Sequence, residues 1–375
     1  MSYKKIGIVC TSASWGGLEM NTLKLAQWLQ EYGWEVRLLL TESGASFKKA
    51  PAYCDDVASI QDVAGADVRK ANRGIIKKWL HEKNVSVLFT PYNKDIAALS
   101  NYKRWNNKDI KLVYQQHMKV GVKKKDLIHT FRYSVLDAWI SPLAYLKEET
   151  LRYTRVKEER IHIIPFGLEI DTMARNSMDK AAARDILQLP PGVPMIGVLG
   201  RIDPKKEQKF LIEAIDSLKK QHNVMYHLVI MGAITANEGD AYLQSLHQLV
   251  ADRGLQDKVH FKDYATDVVP FFKAIDVLAL PSEGETFGMV TIEAMANECP
   301  VIGTDKDGTR EILRMGKLGY LYNYNDLDSF CTQMILLKNN NHLKEMVQDA
   351  RNEVLQQYTK QHMCEQMNVL LQQLI

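Results

Sequence analysis

The densest chemistry in the chain lies in its C-terminal half, in the run Pro281-Ser282-Glu283-Gly284-Glu285-Thr286-Phe287-Gly288-Met289-Val290-Thr291-Ile292-Glu293-Ala294-Met295-Ala296. The run stands between an apolar segment that ends at Leu280 and a segment with helical spacing. A loop that leaves a parallel strand and opens a helix presents free backbone N–H groups and the positive end of the helix dipole, which suits a phosphate. Gly284 and Gly288 let the backbone approach a ligand closely. Glu285 lies on the loop and Glu293 about one turn inside the helix. Two carboxylates converging on one crevice accept hydrogen bonds from the hydroxyls of a polyol. Taken singly, each has a plainer reading: Glu293 as an exposed helix carboxylate, Glu285 as a charge partner for a helix N-terminus.

Other residues of interest also stand just past strand ends. Gly16 and Gly17 follow the apolar run Ile6 to Cys10 and open a segment in which Leu18, Leu25, Trp28 and Leu29 recur at helical spacing until Gly33. Val36 to Leu40 is the next strand, so the opening is a βαβ unit, which requires a parallel sheet. Further strands are predicted at Val85 to Phe89, Leu112 to Gln115 and Ala138 to Ile140, with His117 just beyond the second of these. A lone histidine there is equally a satisfied polar residue. A second series begins at Met195 to Leu199 and runs through Gly200-Arg201 and Lys206 into a helical pattern. Strands follow at Tyr226 to Met231, Val259 to Phe261, Val277 to Leu280 and Val301-Ile302, with helices between them. From about Leu343 the spacing is helical to the end. The chain is therefore expected to be α/β throughout, in two Rossmann-like halves. The expected domains are residues 1–168, residues 169–355, and a terminal helix over residues 356–375 that packs back toward the first domain. The hinge is placed in the polar stretch between Gly167 and about Pro194.

Composition agrees with a globular protein of two domains: 375 residues, 46% hydrophobic and 25% charged, with no apolar run long enough for a membrane span. The apolar run after Lys4-Lys5 is too short for a signal peptide, so a cytoplasmic location is expected. Five scattered cysteines make neither a disulfide framework nor a CxxC motif and are expected to be reduced core thiols. The net charge of +3 conceals an asymmetry: residues 1–168 carry 27 Lys and Arg against 17 Asp and Glu, while the remainder is acidic. A basic first half favours an anionic partner or membrane surface, and no feature calls for nucleic acid.

The Glu-x7-Glu spacing, the preceding Pro-Ser, the internal Phe-Gly, and the trailing Glu-Ala-Met-Ala and Cys-Pro-Val-Ile-Gly-Thr closely resemble the retaining glycosyltransferases of family 4, also called group 1. The resemblance extends along nearly the whole chain. Trp15-Gly16-Gly17-Leu18-Glu19 is similar to the family's Gly-Gly-x-Glu loop, Ile163 to Gly167 to the strand before its hinge, and Gly200-Arg201 with Lys206 to its diphosphate-binding loop. It implies the GT-B architecture, two facing Rossmann-like domains with a cleft between them, the donor held by the second and the acceptor facing the first. It implies that Glu293 bonds the ribose of a nucleotide, Glu285 the donor sugar, and the amides from Phe287 through Gly288 and Met289 to Val290 the sugar and diphosphate. The Gly16-Gly17 loop would approach the donor phosphate and the acceptor, and His117 the transferred sugar. Arg201 and Lys206, with Lys205 as a substitute for the latter, would stabilise the charge that develops on the departing diphosphate. They would do so in place of a metal ion, for no DxD-like pair or His/Cys cluster has metal spacing, and no other cofactor is expected.

The expected activity is transfer of a hexosyl-type unit from a nucleoside diphosphate sugar, UDP first and GDP second, to a hydroxyl of a glycan or lipid-linked acceptor, with retention at the anomeric carbon. Envelope or capsule polysaccharide assembly is the setting the family suggests. A nucleotide-sugar epimerase, a phosphorylase-like enzyme and a non-catalytic nucleotide-sugar-binding protein share the architecture. A dinucleotide-dependent oxidoreductase is disfavoured because neither glycine turn reads G-x-G-x-x-G. In Asp305-Lys306-Asp307-Gly308-Thr309-Arg310-Glu311, Asp307 stands where the family usually has the first of two glycines. Finally, Lys119, Lys123, Lys124 and Lys125 with His129, Phe131, Arg132 and Tyr133, together with Lys77-Lys78-Trp79, make a cationic and aromatic set expected to meet an anionic lipid headgroup or a lipid-diphosphate acceptor.

Overall fold

A computed structural model describes residues 4–62, 67–170, 178–234 and 240–375. The chain divides into one unit of Met1–Gly167 with Lys360–Ile375 and a second of Leu168–Thr359. Residues 171–177 of the predicted hinge stretch lie outside the described residues.

Among the described residues the first unit has seven strands: β1 (Lys5–Cys10), β2 (Glu35–Thr41), β3 (Val57–Ile60), β4 (Val87–Thr90), β5 (Lys111–Gln115), β6 (Ala138–Ser141) and β7 (Ile161–Ile163). They form one sheet in the order β3-β2-β1-β4-β5-β6-β7, and every pairing is parallel. Helices on both faces explain why the central strands are continuous apolar runs: Ile6, Ile8, Leu38, Leu39, Val87 and Leu88 are wholly buried. The helix Gly17–Glu31 packs on the terminal helix Lys360–Leu374, which turns Met363, Cys364, Met367, Leu370 and Leu371 inward at helical spacing. Trp34 Nε1 donates to Asn368 Oδ1 at 2.9 Å, and Lys360 pairs with Glu31 at 2.7 Å.

The second unit repeats the plan with β8 (Met195–Leu199), β9 (His227–Met231), β10 (Val259–Lys262), β11 (Val277–Leu280), β12 (Val301–Thr304) and β13 (Tyr320–Tyr322). Their order is β10-β9-β8-β11-β12-β13, again all parallel. The core gathers Phe210, Leu211 and Ile215 from the helix Gln208–His222 against Leu228, Ile230, Tyr322 and Phe330. Two Rossmann-like α/β units are therefore present, as the apolar runs and their helical intervals imply.

Three details differ from expectation. The strands β3 and β13 escape the sequence reading. The strand before the hinge is Ile161–Ile163 rather than Ile163 to Gly167, because Pro165 has no N–H to offer the ladder. Trp79 and Tyr133, expected at a lipid-facing surface, belong to the core of the first unit. All five cysteines are buried and free. Among the described residues no helix is long and apolar enough to cross a membrane.

Candidate functional site

In an open parallel sheet, a crevice opens beyond the C-terminal ends of the two neighbouring strands from which the chain departs in opposite directions. In the second unit those strands are β8 and β11. The loops leaving them are the ones that carry Arg201 and Lys206 on one side and Glu285, Phe287 and Gly288 on the other. Topology thus brings together residues some 80 positions apart, and Lys206 Nζ donates to Glu285 Oε1 at 2.6 Å.

Each partner of that pair is positioned by its own loop. Asp203 accepts from the amide of Lys205 at 2.9 Å and caps the single turn Pro204–Lys206. Gln208 Nε2 donates to the Arg201 carbonyl at 2.8 Å, tying the two ends of the loop. The Arg201 side chain is exposed and has no ion-pair partner among the described residues. Ser282 Oγ donates to the same Glu285 oxygen at 3.1 Å, while the Ser282 carbonyl accepts from Thr304 Oγ1 at 3.0 Å. Glu285 is thereby held by a serine anchored to β12 and by a lysine from the β8 loop.

Gly288 is the N-cap of the helix Met289–Ala296, with φ +87° and no side chain capping the helix. A left-handed residue is needed there, and a Cβ would meet Thr291 Oγ1 at 2.9 Å. The opening amides at Met289 and Val290 point out of an uncapped helix N-terminus, which favours an anion. Phe287 is buried with its ring edge-on to Tyr358 at 5.9 Å, so its backbone, and not its ring, faces the loop. Glu293 stands half-buried just over one turn into the helix, and its carbonyl accepts from Asn297 Nδ2 at 2.8 Å.

The loop after β12 explains a departure noted above. Asp307 has φ +53°, in the left-handed region where glycine is most at ease and aspartate is tolerated. The amide of Gly308 donates to the Glu285 carbonyl at 2.9 Å. A Cβ at Gly308 would fall within 3.0 Å of the carbonyls of Glu285, Thr286 and Phe287. Gly308 is thus fixed by a close backbone approach. Asp307 itself adopts the left-handed dihedral that a glycine would supply, and its carboxylate lies over Gly284. Sequence reasoning missed this contact, for which the signal was the aspartate in a glycine position.

The first unit has its own point of strand reversal, between β1 and β4. Gly16 caps the helix Gly17–Glu31 in an extended conformation, and no side chain takes the capping role. Glu19, buried on that helix, accepts from Ser12 Oγ at 2.5 Å. His117 follows β5, its ring 4.6 Å from that of Phe166. Burial lowers its pKa to about 3, so it is a neutral imidazole at physiological pH. The residue that fixes this turn is Gln116, which is wholly buried and accepts from Trp139 Nε1 at 3.0 Å while donating to the Met118 carbonyl at 3.1 Å.

Asp95, beyond β4, is buried and bridges the reversal. It accepts from the Thr11 amide at 2.9 Å and from Thr11 Oγ1, with Arg69 Nη1 at 3.7 Å. Burial, opposed by these bonds, raises its pKa to about 7. A carboxyl whose pKa is raised on folding keeps its proton longer in the folded than in the unfolded chain. Stability therefore falls as pH rises from about 4 to about 7. Asp95→Asn removes that component, so the difference in thermal midpoint, variant minus wild type, is expected to grow more positive between pH 5 and pH 8. A constant difference over that range would show Asp95 to be ionised throughout.

Two family models match the chain: glycosyl transferases group 1 over residues 179–353 and Glycosyltransferase Family 4 over residues 15–172. A D-inositol 3-phosphate glycosyltransferase of Nocardia farcinica is 33% identical over 166 residues, which are 44% of this chain and 36% of that protein. Its counterpart in Stackebrandtia nassauensis is 30% identical over 195 residues, 51% of this chain and 43% of that protein. The match thus spans well under two thirds of these relatives' length. In fold, a glycosyltransferase of Rickettsia africae is similar with a TM-score of 0.87 at 18% identity, over 100% of this chain and 99% of that one. Anabaena Alr3699/HepE in complex with UDP-glucose is similar with a TM-score of 0.82 at 18% identity, over 98% and 99%.

Proposed function

We propose a function from one premise, that the chain belongs to the group 1, or family 4, glycosyltransferases of GT-B fold: it moves a hexosyl-type sugar from a nucleoside diphosphate sugar to an acceptor hydroxyl, with retention. The observation that carries this reading is the Lys206–Glu285 pair beside an uncapped helix N-terminus at the strand reversal of the second unit. A diphosphate matches the helix amides and the cations, and a sugar the carboxylate. UDP is the first choice of nucleotide, consistent with the UDP and UDP-glucose bound to the Anabaena neighbour, and GDP is the second.

In the proposed reaction the bond from sugar C1 to the diphosphate oxygen breaks and the acceptor oxygen bonds to C1 on the same face. The acceptor proton passes to the departing phosphate, so no protein nucleophile is assigned. Arg201 and Lys206 stabilise the charge gathering on the leaving group and take the part a metal ion would play. Glu285 orients the sugar and Glu293 the ribose. Neutral His117 hydrogen-bonds the transferred sugar without adding charge near the reacting carbon. Gly16 and Gly17 leave room for donor phosphate and acceptor. The acceptor is a glycan or a lipid-linked hydroxyl, and the enzyme works in the cytoplasm.

Calorimetric titration with UDP and with GDP in EDTA tests the donor site. Glu293→Ala is expected to weaken the nucleotide that binds by roughly ten- to a hundredfold, the loss of a charge-assisted hydrogen bond of about 1.5–3 kcal/mol. Equal affinity in wild type and variant would remove Glu293 from the ribose. Turnover in EDTA, with product anomers read by NMR, tests metal independence and retention.

A further inference from the structure

Just past His117 the first unit exposes a set of large apolar side chains that its core does not use. Val122, Leu127 and Ile128 are 64%, 81% and 62% exposed, with Met118 and Phe131 beside them in sequence and also exposed. Trp105, 74% exposed, ends the neighbouring helix Ile96–Trp105. That helix packs on the helix Leu127–Tyr133. Arg104 joins the two: its guanidinium lies 3.7 Å from the centre of the Phe131 ring and donates to the Phe131 carbonyl at 2.7 Å.

This exposure is not that of a loose loop. The amides of Val120 and Gly121 donate to Glu149 at 2.9 and 3.3 Å, and the Lys124 amide to the Tyr153 carbonyl at 2.7 Å. Asp126 caps the short helix through the amides of Ile128 and His129, each at 3.0 Å. Tyr133 stacks edge-on against Trp139 at 5.4 Å. The backbone is pinned from behind while Val122, Leu127 and Ile128 stand outward. Cations interleave with them at Lys119, Lys123, Lys124, Lys125 and Arg132, and at Lys108 beyond Trp105. Of the nearby acids, Asp126 is engaged in the cap and with the His129 ring at 2.6 Å, and Glu149 with the two amides.

We infer that this face docks on an anionic lipid bilayer, with Val122, Leu127 and Ile128 entering the interface and the lysines meeting the headgroup charge. Large apolar side chains held outward on a pinned segment mark an interaction surface. The interleaved cations select an anionic partner, and amphipathic segments of this composition lie in the headgroup region, where Trp is also at home. The inference deepens the reading above, on which it rests only for one step: a membrane-bound enzyme with His117 at the sugar meets its acceptor hydroxyl on a lipid carrier.

The test is co-sedimentation of the full chain with vesicles of phosphatidylcholine alone and of phosphatidylcholine with 30 mol% phosphatidylglycerol, with UDP and GDP calorimetry on the same preparations. Wild type is expected to partition at least tenfold more onto the anionic vesicles. Leu127→Ser/Ile128→Ser and Lys123→Glu/Lys124→Glu/Lys125→Glu are each expected to lose that gain while nucleotide binding stays unchanged. Equal partition onto both vesicles, or variants that bind as wild type does, would overturn the lipid assignment. So would a wild-type dimer that Leu127→Ser/Ile128→Ser dissociates without any vesicle binding, which would assign the face to a second copy of the chain. Vesicle binding that depends on these residues in a protein that takes neither nucleotide would leave the lipid surface standing and count instead against the UDP or GDP donor site, with a donor of another base or a non-functional site to be tested next.

Discussion

Lys206→Ala is expected to lower kcat by about 10²–10³-fold, a barrier increase of about 3–4 kcal/mol, with a much smaller change in the donor KM. The asymmetry follows from when the lysine's charge is needed. In the structure Lys206 is matched to Glu285 at 2.6 Å. In the proposed reaction, as the bond to the diphosphate stretches, negative charge accumulates on the leaving oxygen, and a fixed cation shared between carboxylate and phosphate would stabilise that state more than the bound donor. The alanine variant also leaves the half-buried Glu285 without this cation. Glu285→Gln in the same chain removes an adverse charge, and the double variant is expected to lose less than the two single effects combined. Lys206→Arg keeps the charge with a different shape and should recover part of the rate. Because Lys206 and Glu285 are both partly buried, urea midpoints are recorded beside the rates, so that any loss of stability is separated from the loss in the chemical step. Single-turnover rates with enzyme in excess measure the chemical step. A loss below about fivefold would take Lys206 out of the leaving-group role, which Arg201 or Lys205 would then have to fill.

What the sequence discloses follows from where a signal is local. The central strands β1, β8 and β11 are buried on both faces and announce themselves as apolar runs; Met195–Leu199 and Val277–Leu280 are found at their observed limits. Val57–Ile60 and Tyr320–Tyr322 lie at sheet edges, have one neighbour each and are only partly buried, so a short mixed segment carries little pattern. The loop from Pro281 to the helix at Met289 is legible because its chemistry is contiguous. The Lys206–Glu285 contact is not, since it exists only once β8 and β11 lie side by side. The same holds for Thr11 with Asp95, 84 residues apart across the other reversal. Aromatic residues beside lysines misled in one respect: Trp79 follows Lys77-Lys78, yet its helix turns it into the core while the lysines stay outside. Adjacency along a helix places residues on different faces, and the period decides which one is seen.

The arrangement of the loops leaving β8 and β9 also depends on a backbone contact that no side-chain motif records, and Gly232→Ala is expected to expose it. Gly232 follows β9 and Gly200 follows β8; the Gly200 amide donates to the Met231 carbonyl and the Gly232 amide to the Lys262 carbonyl, each at 3.0 Å. A Cβ on Gly232 would land on the Gly200 carbonyl oxygen. Main chain in a parallel sheet cannot give way as the far end of a side chain can, so the strand ends must separate or the ladder must break. The expected cost is roughly 2–4 kcal/mol, read as a lower urea midpoint. Binding should fall with it, since Gly200 leads directly into Arg201 and Ile202, whose amide donates to the Ala233 carbonyl at 2.9 Å. UDP or GDP affinity at low denaturant, where the variant is still folded, separates the two effects. Gly74→Ala is the matched control, because a Cβ there meets nothing within 4 Å and the position lies in the helix Arg73–Lys83; alanine should be neutral or stabilise by up to about 1 kcal/mol. If Gly232→Ala instead unfolds at the wild-type midpoint and binds nucleotide as tightly, the ends of β8 and β9 part without cost, and the placement of Arg201 must come from Gln208 and Asp203 alone.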